Sequence, residues 1–194
     1  MKILLATRNA GKVSEMRSLL SDLPVELISA LDLDDPPDVE EDADTLEGNA
    51  RKKADVLHAY SGLPALADDT GLEVDRLEGR PGVRSARYAG PKADDAANRR
   101  KLLDELDGAG DRAARFRTVI AFVDRAGVHQ FEGICRGRII DEERGTGGFG
   151  YDSIFVPEDA DRTFAELSAD EKNEVSHRGR ALRLLADYLR DRLE

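Results

Sequence analysis

Two adjacent carboxylates, Asp68 and Asp69, end an apolar run and precede Thr70 and Gly71. Neighbouring carboxylates repel, and strand side chains alternate between faces, so the pair is expected to point apart. One would then be structural and the other would face a cleft. A carboxylate so placed suits magnesium, which takes one or two acidic side chains and completes its shell with water and phosphate oxygens. A second acidic ligand would come from the loop 38–44, which is dense in Asp and Glu. The same residues also read as a polar turn and a solvated acidic loop. Lys53, inside a helical stretch, is either a phosphate contact or a solvated partner for a nearby acid.

The opening segment Ile3 to Lys12 offers a second kind of chemistry. An apolar run of strand length stops at Thr7-Arg8-Asn9-Ala10-Gly11-Lys12. Val13, Met16, Leu19 and Leu20 then recur at helical spacing. A strand, a short loop and a helix start aim free backbone N–H groups and the positive end of the helix dipole at the loop. Thr7, Asn9 and Lys12 add side-chain donors, so a phosphate fits. This is not the usual P-loop, because Ala6 replaces its first Gly and Val13 replaces the Ser or Thr that would hold magnesium. An ordinary β–α turn with a solvated lysine is the alternative.

A third group is Gly147-Gly148-Phe149-Gly150-Tyr151-Asp152, where an aromatic ring between glycines could stack on a base. The bland reading is a bulged turn whose Phe fills the core. Ser176-His177-Arg178 precedes the last helix, which Ser176 could cap, while His177 and Arg178 supply donors for carbonyl oxygens.

These groups need elements to carry them. Val25 to Ser29 reads as a second strand, and Asp44-Thr45-Leu46-Glu47 as a helix start with Asp44 as cap. Leu63 to Ala67 and Leu72 to Val74 read as two strands on either side of the Asp-Asp-Thr-Gly stretch. A helix is expected near Asp94 to Leu106, strands at Val119 to Val123 and Gln130 to Ile140, and an amphipathic helix carrying Ala181, Leu182, Leu185, Tyr188 and Leu189. Gly79 to Pro91 reads as an ordered loop. The class is α/β with mixed α+β character and a mixed sheet.

A length of 194 residues fits one domain over 1–194, with room for two lobes. A hydrophobic content of 40% with 36% charged residues describes a soluble globular chain, and no run approaches a membrane span. The N-terminus lacks the features of a signal peptide, so a cytoplasmic protein with no membrane partner is expected. The single Cys135 excludes an internal disulfide framework and reads as a small core residue. A net charge of −11 argues against nucleic acid as a partner, since backbone binding needs clustered Lys and Arg.

Taken together, the motifs resemble the Ham1/inosine triphosphate pyrophosphatase family. The resemblance rests on Thr7 to Lys12, Asn49-Ala50 with Lys53-Ala54, Ala67 to Leu72, Gly82 to Tyr88, Gly145 to Asp152, and Glu171-Lys172 with Ser176 to Gly179. They occur in order, at matching spacing, over nearly the whole chain. The resemblance implies an elongated mixed sheet with two α/β lobes around a central cleft. It implies a homodimer that hydrolyses the deaminated purine nucleoside triphosphates ITP, dITP and XTP to monophosphate and pyrophosphate with Mg2+.

By the same resemblance, Thr7, Arg8, Asn9, Ala10, Gly11, Lys12 and Lys53 bind phosphates. Glu40 and Asp69 hold the metal, Asp69 is the base that activates water, and Thr70 contacts the substrate. Phe149 stacks on the base, with Gly150, Tyr151 and Asp152 shaping its pocket. Lys172, His177 and Arg178 read the purine edge. A pocket of donors rejects adenine, which presents a donor at position six where hypoxanthine and xanthine present an acceptor. Thr70 stands where Ser is common, Arg8 where Gly or Asn is common, and Glu40 has Glu41 beside it. The rival readings are a nucleotide-binding sensor without catalysis and a phosphotransferase, which would need an acceptor site.

Overall fold

A computed structural model describes residues 1–91 and 94–193. Its strands are β1 (Lys2–Leu5), β2 (Glu26–Ser29), β3 (Ala65–Val74), β4 (Pro81–Gly82), β5 (Ala113–Asp124), β6 (Gly127–Ile139) and β7 (Phe155–Pro157). Its α-helices are α1 (Ala10–Leu19), α2 (Leu46–Ser61), α3 (Asp95–Glu105), α4 (Ala169–Val175) and α5 (His177–Leu193). The strands pair in the order β2-β1-β3-β5-β6-β7, with β4 also on β3. The sheet is mixed, as expected. β1 runs parallel to β2 and β3, whereas β3/β4 and β6/β7 are antiparallel.

The chain divides into two compact units. Unit 1 comprises Met1–Asp69, Thr118–Gly133 and Arg178–Glu194. Its core joins Ile3 and Leu5 of β1, Val13 and Met16 of α1, Phe122 of β5 and Leu182, Leu185 and Leu189 of α5. The continuous apolar run of β1 follows from this, because a parallel strand covered on both faces needs no polar side. Unit 2 comprises Thr70–Arg117 and Ile134–His177. Its core gathers Leu72, Leu102, Phe116, Phe155 and Phe164, with Cys135 buried beside them.

Two local expectations are corrected. The two short strands around Asp68 and Asp69 are one strand, β3, and both carboxylates lie in its interior. Gly71 does not turn the chain. It lets β4 approach, since a Cβ there would lie 2.7 Å from the carbonyl oxygen of Gly82. The cap of α2 is Thr45, whose hydroxyl accepts from Gly48 N at 3.1 Å, and not Asp44. Ser176 lies between α4 and α5: its N–H donates to Lys172 O at 2.8 Å at the end of α4, and α5 begins at the next residue, which leaves Ser176 at the position expected for its cap. The short elements α4, β4 and β7 had no counterpart in the sequence reading. Of the single domain expected over 1–194, residues 92, 93 and 194 lie outside the described residues.

Candidate active site

In unit 1 the centre is the interior of β3. Asp68 is wholly buried, and its Oδ2 meets Lys12 Nζ at 3.1 Å and Arg178 Nε at 3.1 Å. Arg178, itself buried, also pairs with Glu15 of α1. Asp69 meets a different set of groups. Its Oδ2 accepts from Asn49 Nδ2 at 3.0 Å, and its Oδ1 lies 3.6 Å from Lys53 Nζ. Lys53 pairs in addition with Glu41. The adjacent carboxylates thus have separate partners, as strand alternation requires.

Each partner is delivered by a local device. Asn9 caps α1, its Oδ1 accepting from Lys12 N at 3.1 Å, and Thr7 Oγ1 accepts from Asn9 N at 3.2 Å. Thr7 and Asn9, expected as donors to a phosphate, therefore serve here as acceptors that shape the loop holding Ala10, Gly11 and Lys12. Asn49 and Lys53 are four residues apart on α2, hence on one face. Asn49 also accepts from Ala43 N at 3.0 Å, tying the acidic loop to the helix. That loop is laced by cations, not merely solvated. Arg8 Nη1 reaches Asp38 at 3.2 Å and Lys52 reaches Asp42 at 2.6 Å. Arg8 is thus turned to the acidic loop.

Burial and charge oppose each other throughout this cluster. For Asp68, burial favours the neutral acid, but Lys12, Arg178 and Lys53 outweigh it and hold the carboxyl below the usual range. Burial pushes Lys12 down despite Asp68, with Lys53 and Arg178 adding to the fall. Burial also acts on Lys53, but Asp69, Glu41 and Asp68 overcome it and raise the ammonium. Asp69 is pushed up by burial, with Glu41 reinforcing the rise against Lys53, Lys12 and the Asn49 hydrogen bond. A carboxylate raised in this way is a better proton acceptor.

Unit 2 holds an aromatic group. Phe149 is half-buried, with Lys172 Nζ 4.9 Å from its ring centroid. Lys172 also donates to Asp152 Oδ2 at 2.8 Å, and the same oxygen accepts from Phe149 N at 2.9 Å. Gly148 is required there, because its φ is +69° and a Cβ would fall 2.1 Å from that Asp152 oxygen. Tyr151 is buried and donates to Ser85 O at 2.8 Å, and burial pushes its phenol up. His177 is buried with its ring stacked on Phe116, centroids 4.7 Å apart.

A model of the Ham1 family matches residues 3–188. The chain belongs to the Ham1 family. A protein named dITP/XTP pyrophosphatase from Geobacter sulfurreducens is 51% identical over 191 residues, covering 97% of this chain and 96% of that one. Another of the same name, from Christiangramia forsetii, is 48% identical over 97% of this chain and 99% of its own. A HAM1 protein structure from Coxiella burnetii superposes with a TM-score of 0.91 at 42% identity, covering 98% of this chain and 99% of that one. The Staphylococcus aureus Ham1 structure gives 0.89 at 38% identity, covering 99% and 100%. The α/β fold with a mixed sheet is therefore that of the Ham1 family.

Within this Ham1 chain, the structure brings Lys12, Lys53, Asp69 and Arg178 into the unit 1 cluster. It brings Phe149, Gly150, Tyr151, Asp152, Lys172 and His177 into unit 2, while Thr70 is half-buried in β3. Glu40 is exposed, and it is Glu41 that pairs with Lys53. Asn49 and Glu15 carried no assigned role in the sequence, and of the two only Asn49 had a usable local signal, its helical spacing to Lys53. Among the described residues no group of three or more His, Cys, Asp or Glu is arranged to hold a metal. No helix among them is long and apolar enough to cross a membrane.

Proposed function

We propose that this chain hydrolyses the deaminated purine nucleoside triphosphates dITP, XTP and ITP to the monophosphate and pyrophosphate. The observation that carries the reading is the unit 1 cluster, in which Lys12, Lys53 and Arg178 surround two adjacent carboxylates on one strand. The name shared by the relatives, dITP/XTP pyrophosphatase, supports the same reaction.

The donor set fits magnesium. Asp69 and Glu41 are hard oxygen donors drawn to one lysine, and one or two carboxylates are what magnesium takes from a protein when phosphates complete its shell. Asp69 with Glu40 or Glu41 would hold it, and the contacts of Lys53 favour Glu41. When bound, the ion neutralises triphosphate charge and makes water a stronger nucleophile.

The residues divide the remaining work. Asp69 accepts the proton of the water that attacks the α-phosphorus, and the α–β anhydride bond breaks as pyrophosphate leaves. Lys12, Lys53 and the backbone of Thr7 to Lys12 stabilise charge on that leaving group. Thr70 contacts the substrate beside Asp69. Phe149 stacks on the purine, Gly150, Tyr151 and Asp152 shape its pocket, and Lys172 and His177 donate to its acceptors. The protein works as a homodimer on the cytoplasmic nucleotide pool.

The test is pyrophosphate release from dITP, XTP, dATP and dGTP, with magnesium and with a chelator. Metal-dependent release from dITP and XTP well above the other two is expected. Equal rates on all four refute the base selectivity. Binding without release refutes the reaction.

A further inference from the structure

Helix α3 supplies none of the groups used above, yet its side chains grip the loop that carries Phe149. Asp95 and Arg99 are four residues apart and so share a face. Gly150 N donates to Asp95 Oδ2 at 2.8 Å, and Arg99 Nη1 donates to Gly150 O at 2.7 Å. Both peptide groups of one loop residue are thereby fixed by one helix.

The grip is itself supported. Arg99 Nε lies 3.0 Å from Glu143 Oε2, and that oxygen also accepts from Ser153 Oγ at 3.0 Å. Between Asp95 and Arg99, the buried Asn98 accepts from Ala89 N at 2.6 Å and donates to Ala86 O at 3.1 Å. The neighbouring Ser85 carbonyl receives the Tyr151 hydroxyl at 2.8 Å. Helix α3 thus holds Gly150 directly and is linked to Tyr151 through the segment 85–89. On the inner side, Asp152 holds Phe149 N at 2.9 Å. The phenylalanine is pinned through its own N–H and through the peptide groups of the next residue.

We propose that Asp95 and Arg99 are positioning residues for substrate selection, clamping both the N–H and the C=O of Gly150 so that the Phe149 ring is preset for a purine. The proposal rests on the reading that Phe149 stacks on the base. Neither side chain acts on the reaction itself, so losing either should change recognition and leave turnover alone.

The experiment compares wild type with Arg99→Met, Asp95→Ala, Asp95→Asn and, as a control on the same helix, the exposed Asp104→Asn. Two quantities are read: steady-state pyrophosphate release from dITP, and amide hydrogen exchange in a peptide spanning 149–151. Losing one clamp bond should raise KM by about tenfold at most, with kcat within about twofold of wild type. Exchange should rise in Arg99→Met and Asp95→Ala. Asp95→Asn, which keeps an acceptor for Gly150 N–H, should restore both readouts, and Asp104→Asn should change neither. Wild-type KM and unchanged exchange in the first two variants overturn the clamp. A fall in kcat with KM unchanged overturns it as well. A wild type that releases no pyrophosphate from dITP overturns the function proposed above, and the clamp's part in it.

Discussion

Asp68 and Asp69 are neighbours on β3, and their substitution by Asn should produce opposite phenotypes. The side chain of Asp68 has no solvent exposure and meets Lys12 and Arg178, each at 3.1 Å. Asp68→Asn keeps the shape and removes the charge. Depending on its rotamer, the amide sets an N–H donor against two donors or leaves a neutral oxygen to hold two cations. Removing one partner of a buried ion pair costs about 3–5 kcal/mol. One feature favours the lower end: Arg178 keeps Glu15 as its partner. A loss of about 3 kcal/mol lowers the unfolding midpoint of a chain this size by roughly 6–12 °C.

Asp69→Asn differs. One oxygen can still accept from Asn49, and removing the charge relieves repulsion with Glu41 while Lys53 keeps that acid. Stability should stay within about 1 kcal/mol, a typical hydrogen-bond contribution, while pyrophosphate release falls by about 10²–10⁴, the usual span for a general base. The assay pairs thermal or urea unfolding with pyrophosphate release from dITP for both variants. A stable Asp68→Asn, or an Asp69→Asn with wild-type turnover, refutes the division of labour between the two carboxylates.

Lys53→Met should lower kcat on dITP by about 10²–10³, as expected for losing one charge-stabilising donor, and turnover within about twofold of wild type would refute its role. Phe149→Ala should weaken dITP binding by about 1–3 kcal/mol, the worth of one base stacked on an aromatic ring, measured by calorimetry with the magnesium nucleotide. Equal affinity in the variant would place the purine elsewhere. Gly71→Ala forces a Cβ to 2.7 Å from Gly82 O and should cost about 1–3 kcal/mol in urea unfolding; an unchanged midpoint would mean that β4 moves freely.

How far the sequence could be read depended on how local each cause was. β1, α1 and α5 were legible because continuous apolar runs and 3.6-residue spacing are local properties. The cap of α2 was displaced by one residue because Asp44 and Thr45 are both good capping types, and backbone geometry chose the hydroxyl. The uninterrupted β3 was hidden, since Asp-Asp-Thr-Gly has the composition of a turn. It stays extended because Lys12, Asn49, Lys53 and Arg178, all distant in sequence, neutralise or hydrogen-bond its carboxylates. Strands as short as β4 and β7 carry too few residues to show a period. The site residues divide in the same way. Nothing within the acidic run distinguishes Glu40 from Glu41, and only contact with Lys53 does. His177 and Arg178 are adjacent and looked like one functional pair. On α5, however, successive side chains diverge by about 100°, and one packs on Phe116 while the other pairs with Asp68.

That charge arrangement bears on how an acidic chain could admit a polyanion. The whole chain carries −11, a field that repels a triphosphate. The unit 1 cluster does not reverse this by excess cations, for Lys12, Lys53 and Arg178 stand against Glu15, Glu41, Asp68 and Asp69, one charge short of neutral. A divalent cation on Asp69 and Glu41 would turn that balance from one net negative to one net positive. It would also compete with Lys53 for both carboxylates and so free an ammonium for phosphate. Asp68 would take no part in the exchange, because its charge is committed to Lys12 and Arg178. Phosphate affinity would then depend on metal through charge as well as through direct coordination, with one carboxylate holding the cations in place and its neighbour taking the metal and the proton.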